Sequence, residues 1–356
     1  AVERPPAVAD VPSKVLIFGE MPFDKEGNEK CILWVYDKNF KLLWEKTYDF
    51  PYPSVKGPVN EFAVNNLGNV FITKRVKIKK EMDFQALFTF TDNGASVKET
   101  KLDMKENLII SSSTVSFDKD NNYVQAGFYF SDKKVGINVS TPTGVFYVKA
   151  NGSSGDIISL TATDIKGREN LTARQLIQLN GGDYILSGEQ LFEKKDLINP
   201  RATTNPQYNY EHSNRSIFLY RINNATGDLT WNRQIEREVK SMNDNGKTNS
   251  FFIWETNQNE LAVLFRDHLY KYDNPNAKVI GPGMANVFNV ATHFLNLDSG
   301  ETSKTVVCRE ETMGGKHGEY MIIPQTAMKI DGNTIWLISA SKEREKNELV
   351  STKLTY

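Results

Sequence analysis

Cysteine is scarce in this chain of 356 residues. It holds two, Cys31 and Cys308, far apart in the sequence. That number excludes a disulfide-rich scaffold and a zinc site built from four cysteines. We therefore expect two free thiols that behave as small buried hydrophobes.

Long apolar runs and an excess of charge of one sign are also missing. No segment approaches the roughly 18 apolar residues that cross a bilayer, and 43 Lys+Arg offset 44 Asp+Glu. Balanced charge gives no general attraction to nucleic acid or to an anionic membrane, so we expect neither partner and no transmembrane segment. Residues 1–13 are rich in Pro, Ala and Val and resemble no signal peptide. We expect them to form a flexible leader on an exported chain.

Motifs that carry chemistry are absent too. The sequence has no Gly-x-Ser-x-Gly elbow, no phosphate-binding glycine loop and no His-Glu-x-x-His spacing. Its four histidines have no spacing typical of metal ligands. We therefore predict no catalytic residue, no metal site and no cofactor.

What the sequence does contain is a repeated β-hairpin pattern. Residues 217–231 alternate apolar and polar side chains, break at an Asn/Thr/Gly turn and resume toward Trp231, which is typical of a half-buried hairpin. More apolar hairpins turn at residues 65–69, 118–122, 180–183, 257–259 and 331–333, and alternating ones turn at residues 37–39, 92–94, 151–152, 224–227 and 298–300.

One hairpin of each kind makes a four-stranded antiparallel sheet, the blade of a β-propeller. Four complete pairs, with an incomplete one at each end, predict an all-β, six-bladed propeller that forms one domain over residues 14–356. Seven blades, or two β-sandwich domains with a boundary near residues 140–156, are the alternatives.

In such a blade the turns after the first and third strands lie on one face, and the remaining connections lie on the other. The tight turns all fall in the first set. The second set contains the long segments, residues 76–83, 131–144, 193–216, 237–250, 267–290 and 310–325. Function on a rigid scaffold concentrates in such connections.

The long-segment face is therefore the predicted partner-binding surface. Its basic run near residue 75 and its Tyr- and Arg-rich segment before residue 216 have the composition of interface anchors. The residues that we expect to contribute are Arg75, Lys77, Arg201, Tyr208, Tyr210, His212, Arg215, Arg266, Asp267, His268 and His317.

Two resemblances refine this prediction. Residues 221–231, with Asn223, a Thr-Gly turn and Trp231, resemble the tryptophan-docking repeat of quinoprotein-like propellers, in which the Trp locks one blade to the next. The Asn/Lys-rich hairpins, such as NNLGNVFITKR at residues 65–75, look like the propeller-like envelope proteins of the Bacteroidetes. Among these, the chain is similar in size and all-β character to the Plug subunits of the type 9 secretion translocon.

The second resemblance implies a periplasmic, non-catalytic propeller that binds a protein partner in an outer-membrane complex, as an accessory or sealing subunit of a translocon. The alternative is a glycan-binding propeller, or a hydrolase or lyase, with its site at the central funnel.

Overall fold

The computed structural model consists almost entirely of antiparallel β-strands. It describes residues 13–21, 27–53, 59–76, 84–104, 108–131, 141–198, 208–243, 245–246, 249–268, 270–273, 288–309, 320–341 and 349–356. Within these ranges there are 23 strands, which form six sheets, and one short helix.

The sheets follow one another along the chain. The first contains β1 (Lys14–Glu20), β2 (Asn28–Asp37) and β3 (Leu42–Pro53). The second contains β4 (Val59–Val64), β5 (Val70–Val76), β6 (Phe84–Thr91) and β7 (Ser96–Leu102). The third contains β8 (Leu108–Phe117), β9 (Tyr123–Ser131), β10 (Gly144–Ala150) and β11 (Ile157–Asp164).

The fourth sheet contains β12 (Leu171–Gln178), β13 (Tyr184–Leu197), β14 (Tyr208–Ile222) and β15 (Leu229–Ile235), with β16 (Val239–Met242) paired to β14. The fifth contains β17 (Phe251–Glu255), β18 (Glu260–His268), β19 (Phe288–Asn296) and β20 (Thr302–Arg309), and α1 (Tyr270–Asp273) follows β18. The sixth contains β21 (Tyr320–Lys329), β22 (Thr334–Ser341) and β23 (Leu349–Thr355).

Every predicted hairpin turn joins two neighbouring strands of one sheet. The hairpin pairs therefore give four sheets with a full set of four strands and a three-stranded sheet at each end of the described chain. The all-β prediction is confirmed. The alternative boundary near residues 140–156 is wrong, because β10 pairs with both β9 and β11 in a single sheet there.

Burial changes in a regular way across the complete sheets. The second and third strands, such as β5 and β6, are buried at nearly every position, while an outer strand such as β7 alternates. Strands that are covered on both faces need a continuous apolar run, and edge strands need apolar side chains on one face only. The apolar hairpins thus supply the middle of each sheet.

The hydrophobic core lies in layers between consecutive sheets. One layer joins Leu33 and Val35 of the first sheet to Phe88 and Phe90 of the second. Further layers join the second sheet to the third and the fifth to the sixth. First strands also touch in sequence order, β1 with β4, β4 with β8, β8 with β12 and β17 with β21. Consecutive propeller blades pack in this way.

Tryptophan side chains fasten some of these layers at the hairpin turns. Trp44 of β3 donates from Nε1 to the Gly68 carbonyl, 3.2 Å away in the next sheet, and its ring lies against Gly94. Trp231 of β15 donates to the Leu297 carbonyl at 2.7 Å. The predicted docking role of Trp231 is therefore confirmed. Trp44 has the same role although its hairpin lacks the Thr-Gly turn.

The turn before Trp231 is closed by Asn223. Its Oδ1 accepts hydrogen bonds from the backbone N–H groups of Ala225 and Thr226, both at 3.0 Å. An asparagine side chain that accepts from backbone N–H groups two and three residues ahead satisfies donors that the backbone of the turn leaves unpaired. It fills the position at which the resembled repeat has aspartate.

The chain divides into two compact units, residues 1–186 with 221–230, and residues 187–220 with 231–356. The predicted single domain over residues 14–356 therefore comprises six sheets, whose residues are divided between two compact units. Twelve of the 13 residues of the predicted leader lie outside the described ranges.

Residues 50–53, which contain Pro51 and Pro53, form the end of β3. Proline is tolerated at strand ends, where its missing N–H breaks few ladder bonds. The two cysteines are free as predicted, with Cys31 buried and Cys308 half-buried.

Candidate interaction surface

The described residues of the segment 193–216 are nearly all strand and not loop. β13 and β14 span 14 and 15 residues and are the longest described strands. Their distal parts, residues 192–198 and 208–216, form with β16 a three-stranded extension, which we call the distal ribbon. β16 pairs with β14 from Glu211↔Met242 to Asn214↔Val239. The backbone of Tyr210 closes the ribbon with two 2.9 Å hydrogen bonds to Asn243.

One face of the ribbon carries a row of aromatic side chains. Tyr208, Tyr210 and His212 occupy alternate positions of β14, so period-two geometry places them on the same side. The ring centroids of Tyr208 and Tyr210 lie 6.5 Å apart, and His212 stacks on Tyr210 at 6.5 Å and 13°. The three rings support one another in one row.

Cationic side chains lie flat against aromatic rings at two places in the ribbon. Lys195 Nζ is 3.7 Å from the centroid of the Tyr208 ring and 5.5 Å from that of Tyr210. The Arg215 guanidinium lies 4.2 Å from the Phe192 ring centroid and 3.4 Å from a Glu238 carboxylate oxygen. Such contacts orient long side chains that would otherwise be mobile.

Exposed apolar side chains occur on both faces of the same ribbon, because Met242 pairs with Glu211, which alternates with the residues of the aromatic row. Tyr208 and Leu197 are each 37% exposed, and Ile198 and Met242 are each 52% exposed. Scattered single apolar residues are normal on a surface, but a group of them around aromatic and Arg side chains is typical of an interaction site.

His212 anchors the aromatic row and does not face solvent. Its side chain is 2% exposed, and neither ring nitrogen has a hydrogen-bond partner among the described residues. The nearest carboxylate oxygen belongs to Glu193, 3.7 Å from Nδ1. His212 therefore packs against the Tyr210 ring as a buried residue and is not itself exposed to a partner.

A buried ion pair fixes the base of the ribbon. Arg237, which precedes β16, donates from Nη2 to Glu189 of β13, and both side chains are fully buried. Glu189 also accepts from Ser250 Oγ at 3.1 Å, and Arg237 Nη1 donates to the Asn249 carbonyl at 2.5 Å. A buried ion pair with further hydrogen bonds on both partners favours one geometry, because separating the two side chains would leave a charge unpaired.

Arg266 and Asp267 were expected at the surface and are interior residues, 5% and 2% exposed. Asp267 forms an ion pair with Lys271 at 2.8 Å and accepts from the Tyr272 hydroxyl at 3.3 Å. Burial, and then the charge of Asp267, raise the pKa of that hydroxyl. Arg266 Nη1 donates to Asn249 Oδ1 at 2.8 Å. Because both side chains are buried and bonded inside the fold, we exclude them from the candidate surface.

The other predicted residues fall into three groups. Tyr208, Tyr210 and Arg215 lie on the ribbon, together with the buried His212. Arg75 lies in β5 of the first unit and His268 ends β18, so neither belongs to the strands of the ribbon. Lys77, Arg201 and His317 lie outside the described residues.

Sequence reasoning missed Phe192, Lys195 and Met242. Lys195 belongs to a charged run, EKKD at residues 193–196, that carries no apolar alternation. Met242 joins the ribbon only because β16 pairs back onto β14. An alternating Tyr-x-Tyr-x-His run was the one local signal that a strand continued here.

Metal ligands are not gathered anywhere in the described part of the chain, where no group of three or more His, Cys, Asp or Glu side chains could hold an ion. Likewise, no helix within those residues is long and apolar enough to cross a membrane.

Comparison with known proteins gives structural similarity alone. No family model and no curated protein matches the sequence. Among solved structures, a polysaccharide lyase of family PL25, an ulvan lyase, aligns over 98% of this chain and 78% of its own with 12% identity and a TM-score of 0.44. A protein of unknown function from Dyadobacter fermentans aligns over 97% and 100% with 9% identity and a TM-score of 0.39. The WD40 domain of SCAP from fission yeast aligns over 98% and 75% with 9% identity and a TM-score of 0.36.

Proposed function

We propose that this chain is a non-catalytic β-propeller that binds a protein partner through the distal ribbon. The six sheets would be its blades, with the three-stranded sheets at the two ends of the described chain meeting at ring closure. In keeping with the envelope-protein resemblance, we place it in the periplasm as an accessory or sealing subunit of an outer-membrane translocon such as the type 9 system.

The observation that carries this proposal is the aromatic row supported by Lys195, on a ribbon that also exposes apolar side chains. Tyr and Arg dominate the binding energy of many interfaces because they bury a large area and keep a polar group for hydrogen bonding. Here Tyr208 is held from one side by Lys195 and from the other by Tyr210. A partner would lose little side-chain freedom on binding to such a surface, because its anchors are already ordered.

Charge on the ribbon favours a protein partner over a polyanion. Its basic and acidic side chains are interspersed and nearly balanced. They are Lys194, Lys195, Arg215 and Lys240 against Glu193, Asp196 and Glu211, with Glu238 directly before β16. Nucleic acids and anionic membranes select surfaces with a basic excess. Alternating charges around an apolar centre instead fix the register of a protein with complementary charges.

The experiment places a photo-crosslinking amino acid at position 208 and, as the control, at position 40. Phe40 is 72% exposed and lies in the tight β2–β3 turn, outside the ribbon. After irradiation in the native envelope fraction, we expect a covalent adduct to one dominant protein from position 208 and none from position 40. A chain labelled at 208 that forms no adduct, or the same adduct from both positions, would contradict the proposal.

The variants Tyr208→Ala and Tyr210→Ala extend the test to affinity once the adduct has been identified. We expect each to weaken binding of the purified partner by about tenfold or more, as removal of an interface anchor does. Phe40→Ala should leave the affinity unchanged. Far-UV circular dichroism of all three variants would show whether a loss of binding is separate from a loss of fold.

A further inference from the structure

A polar cleft lies along the first strands of the sheets in the first unit, and no residue of the distal ribbon belongs to that unit. One cavity of about 290 Å³ is lined by β4, β8 and β12, with Glu61, Ser112, Ser113 and Thr172 in its wall. A second, of about 430 Å³, is lined by Phe18, Glu20 and Phe62 of β1 and β4. Both share Val59 and Glu61, so Glu61 stands where the two cavities meet.

Backbone irregularities occur in two of the lining strands, at the cavity itself. The β4–β5 ladder shifts register between Val59 and Glu61, and the β8–β9 ladder shifts between Ile110 and Ser112. A bulge adds one residue to a strand and turns the next side chains to a new direction. The side chains that follow these two bulges are Glu61, Ser112 and Ser113, the polar part of the wall.

Glu61 is oriented as a hydrogen-bond acceptor. Ser113 Oγ accepts from Gln125 Nε2 at 3.0 Å, so its own proton is directed to Glu61 Oε1, 2.9 Å away. Burial raises the pKa of Glu61, and the Ser113 hydrogen bond partly offsets that effect. Among the described residues, no Lys or Arg forms an ion pair with this carboxylate, so that part of the chain supplies it with no compensating positive charge.

The rest of the cleft also suits a positive charge. The described residues that line the two cavities include two glutamates and no basic side chain. Phe18 and Phe62 stack with their ring centroids 4.6 Å apart and their planes at 18°, and Phe62 is 45% exposed. Aromatic faces attract cations and also cover an apolar stem.

We propose that this cleft binds an organic cation, with its guanidinium or ammonium group on Glu61 and its apolar stem against Phe18 and Phe62. Bonds from a cation to a carboxylate are about twice as strong as neutral ones, and a partly buried carboxylate without a counter-charge gains most from them. The volume of the smaller cavity is near the lower limit for small-ligand sites. The cleft belongs to the first unit, and this proposal does not rest on partner binding at the ribbon.

The test is calorimetric titration of the full chain with n-butylguanidine and with n-butylurea, a neutral molecule of the same shape. We expect butylguanidine to bind and butylurea to bind about tenfold more weakly or not at all. Glu61→Gln should lower the affinity for butylguanidine by about tenfold. Glu45→Gln is the matched control, because Glu45 is exposed on β3 of the same unit and should leave binding unchanged.

Phe62→Ala should lower the affinity for butylguanidine severalfold, because the apolar stem loses its aromatic contact. It should leave the preference for butylguanidine over butylurea intact. Equal binding of the urea and the guanidine, full affinity in Glu61→Gln, or no binding of butylguanidine up to millimolar concentration would each overturn the proposal. A neutral saccharide such as methyl glucoside that binds more tightly than butylguanidine would also overturn it. Adduct formation from position 208 bears on none of these outcomes.

Discussion

Replacing Gly94 with alanine should destabilise the first unit more than replacing Gly68, although both glycines adjoin Trp44. Gly68 has a φ of +86° and Gly94 a φ of +78°, so an added Cβ meets the same backbone penalty at each. The space differs. A Cβ on Gly68 would lie 3.9 Å from Trp44 Nε1, whereas one on Gly94 would lie 2.9 Å from Cζ3 and 3.0 Å from Cε3 of the same ring.

The expected magnitudes follow from these two terms. Left-handed backbone costs a non-glycine residue about 1–2 kcal/mol, and alanine recovers about 0.4–1 kcal/mol by restricting the unfolded chain. Gly68→Ala should therefore cost about 1 kcal/mol. Gly94→Ala adds the displacement of a packed indole ring, for which overpacking costs about 1–3 kcal/mol. Its total should be about 2–4 kcal/mol.

Gly181→Ala is the matched control in the same unit. No atom lies within 4 Å of its added Cβ, and its φ is not positive. It should be neutral or stabilise by about 0.5 kcal/mol. The assay is urea unfolding followed by tryptophan fluorescence, with the midpoint and slope fitted for the transition that contains Trp44. Equal losses in Gly68→Ala and Gly94→Ala would show that the indole ring moves freely and would refute the tight docking of Trp44.

Three further predictions concern buried groups. Burial, then Glu29 and Asp49, raise the pKa of Cys31 to about 12, so a thiol reagent at pH 8 should label Cys308 in the folded protein and Cys31 only after unfolding. Arg237→Gln should cost about 3–5 kcal/mol in urea unfolding because it leaves the Glu189 charge buried and unpaired, and adding Glu189→Gln should recover part of that loss. Burial alone would raise the pKa of Asp118, but hydrogen bonds from its neighbours, Lys149 first, lower it. The stability that Asp118 provides should hold above its unfolded pKa of about 3.9 and disappear as the pH falls further, and Asp118→Asn should reduce that acid-induced loss.

Much of the fold was predictable because its signals are local. The turns around Asn65 and Asn223 close through side-chain bonds to backbone only a few residues away, such as Asn65 Oδ1 to the N–H groups of Leu67 and Asn69 at 3.1 and 3.0 Å. A turn of this kind is encoded entirely by its own residues. Strand order then follows, because short turns join antiparallel neighbours.

The candidate sites were harder to predict because their signals are not local. Lys195 lies in a charged run whose composition predicts a loop, and it is in a strand only because β14 extends beside it. Asp267 has the composition of a surface residue, but Lys271 and Tyr272 enclose it. The cleft at Glu61 depends on two bulges, each a shift of a single residue that leaves no mark on the hydrophobic pattern.

The docked tryptophans also bear on the order in which the chain can fold. Trp44 bonds to a carbonyl 24 residues further on, and Trp231 to one 66 residues further on. Neither contact can form until a later sheet has been synthesised. During translation, a freshly made sheet of this kind would keep its indole in water until its successor leaves the ribosome. A chain cut between the first and second sheets should therefore expose Trp44 and aggregate, whereas a cut after the second sheet should leave that contact complete.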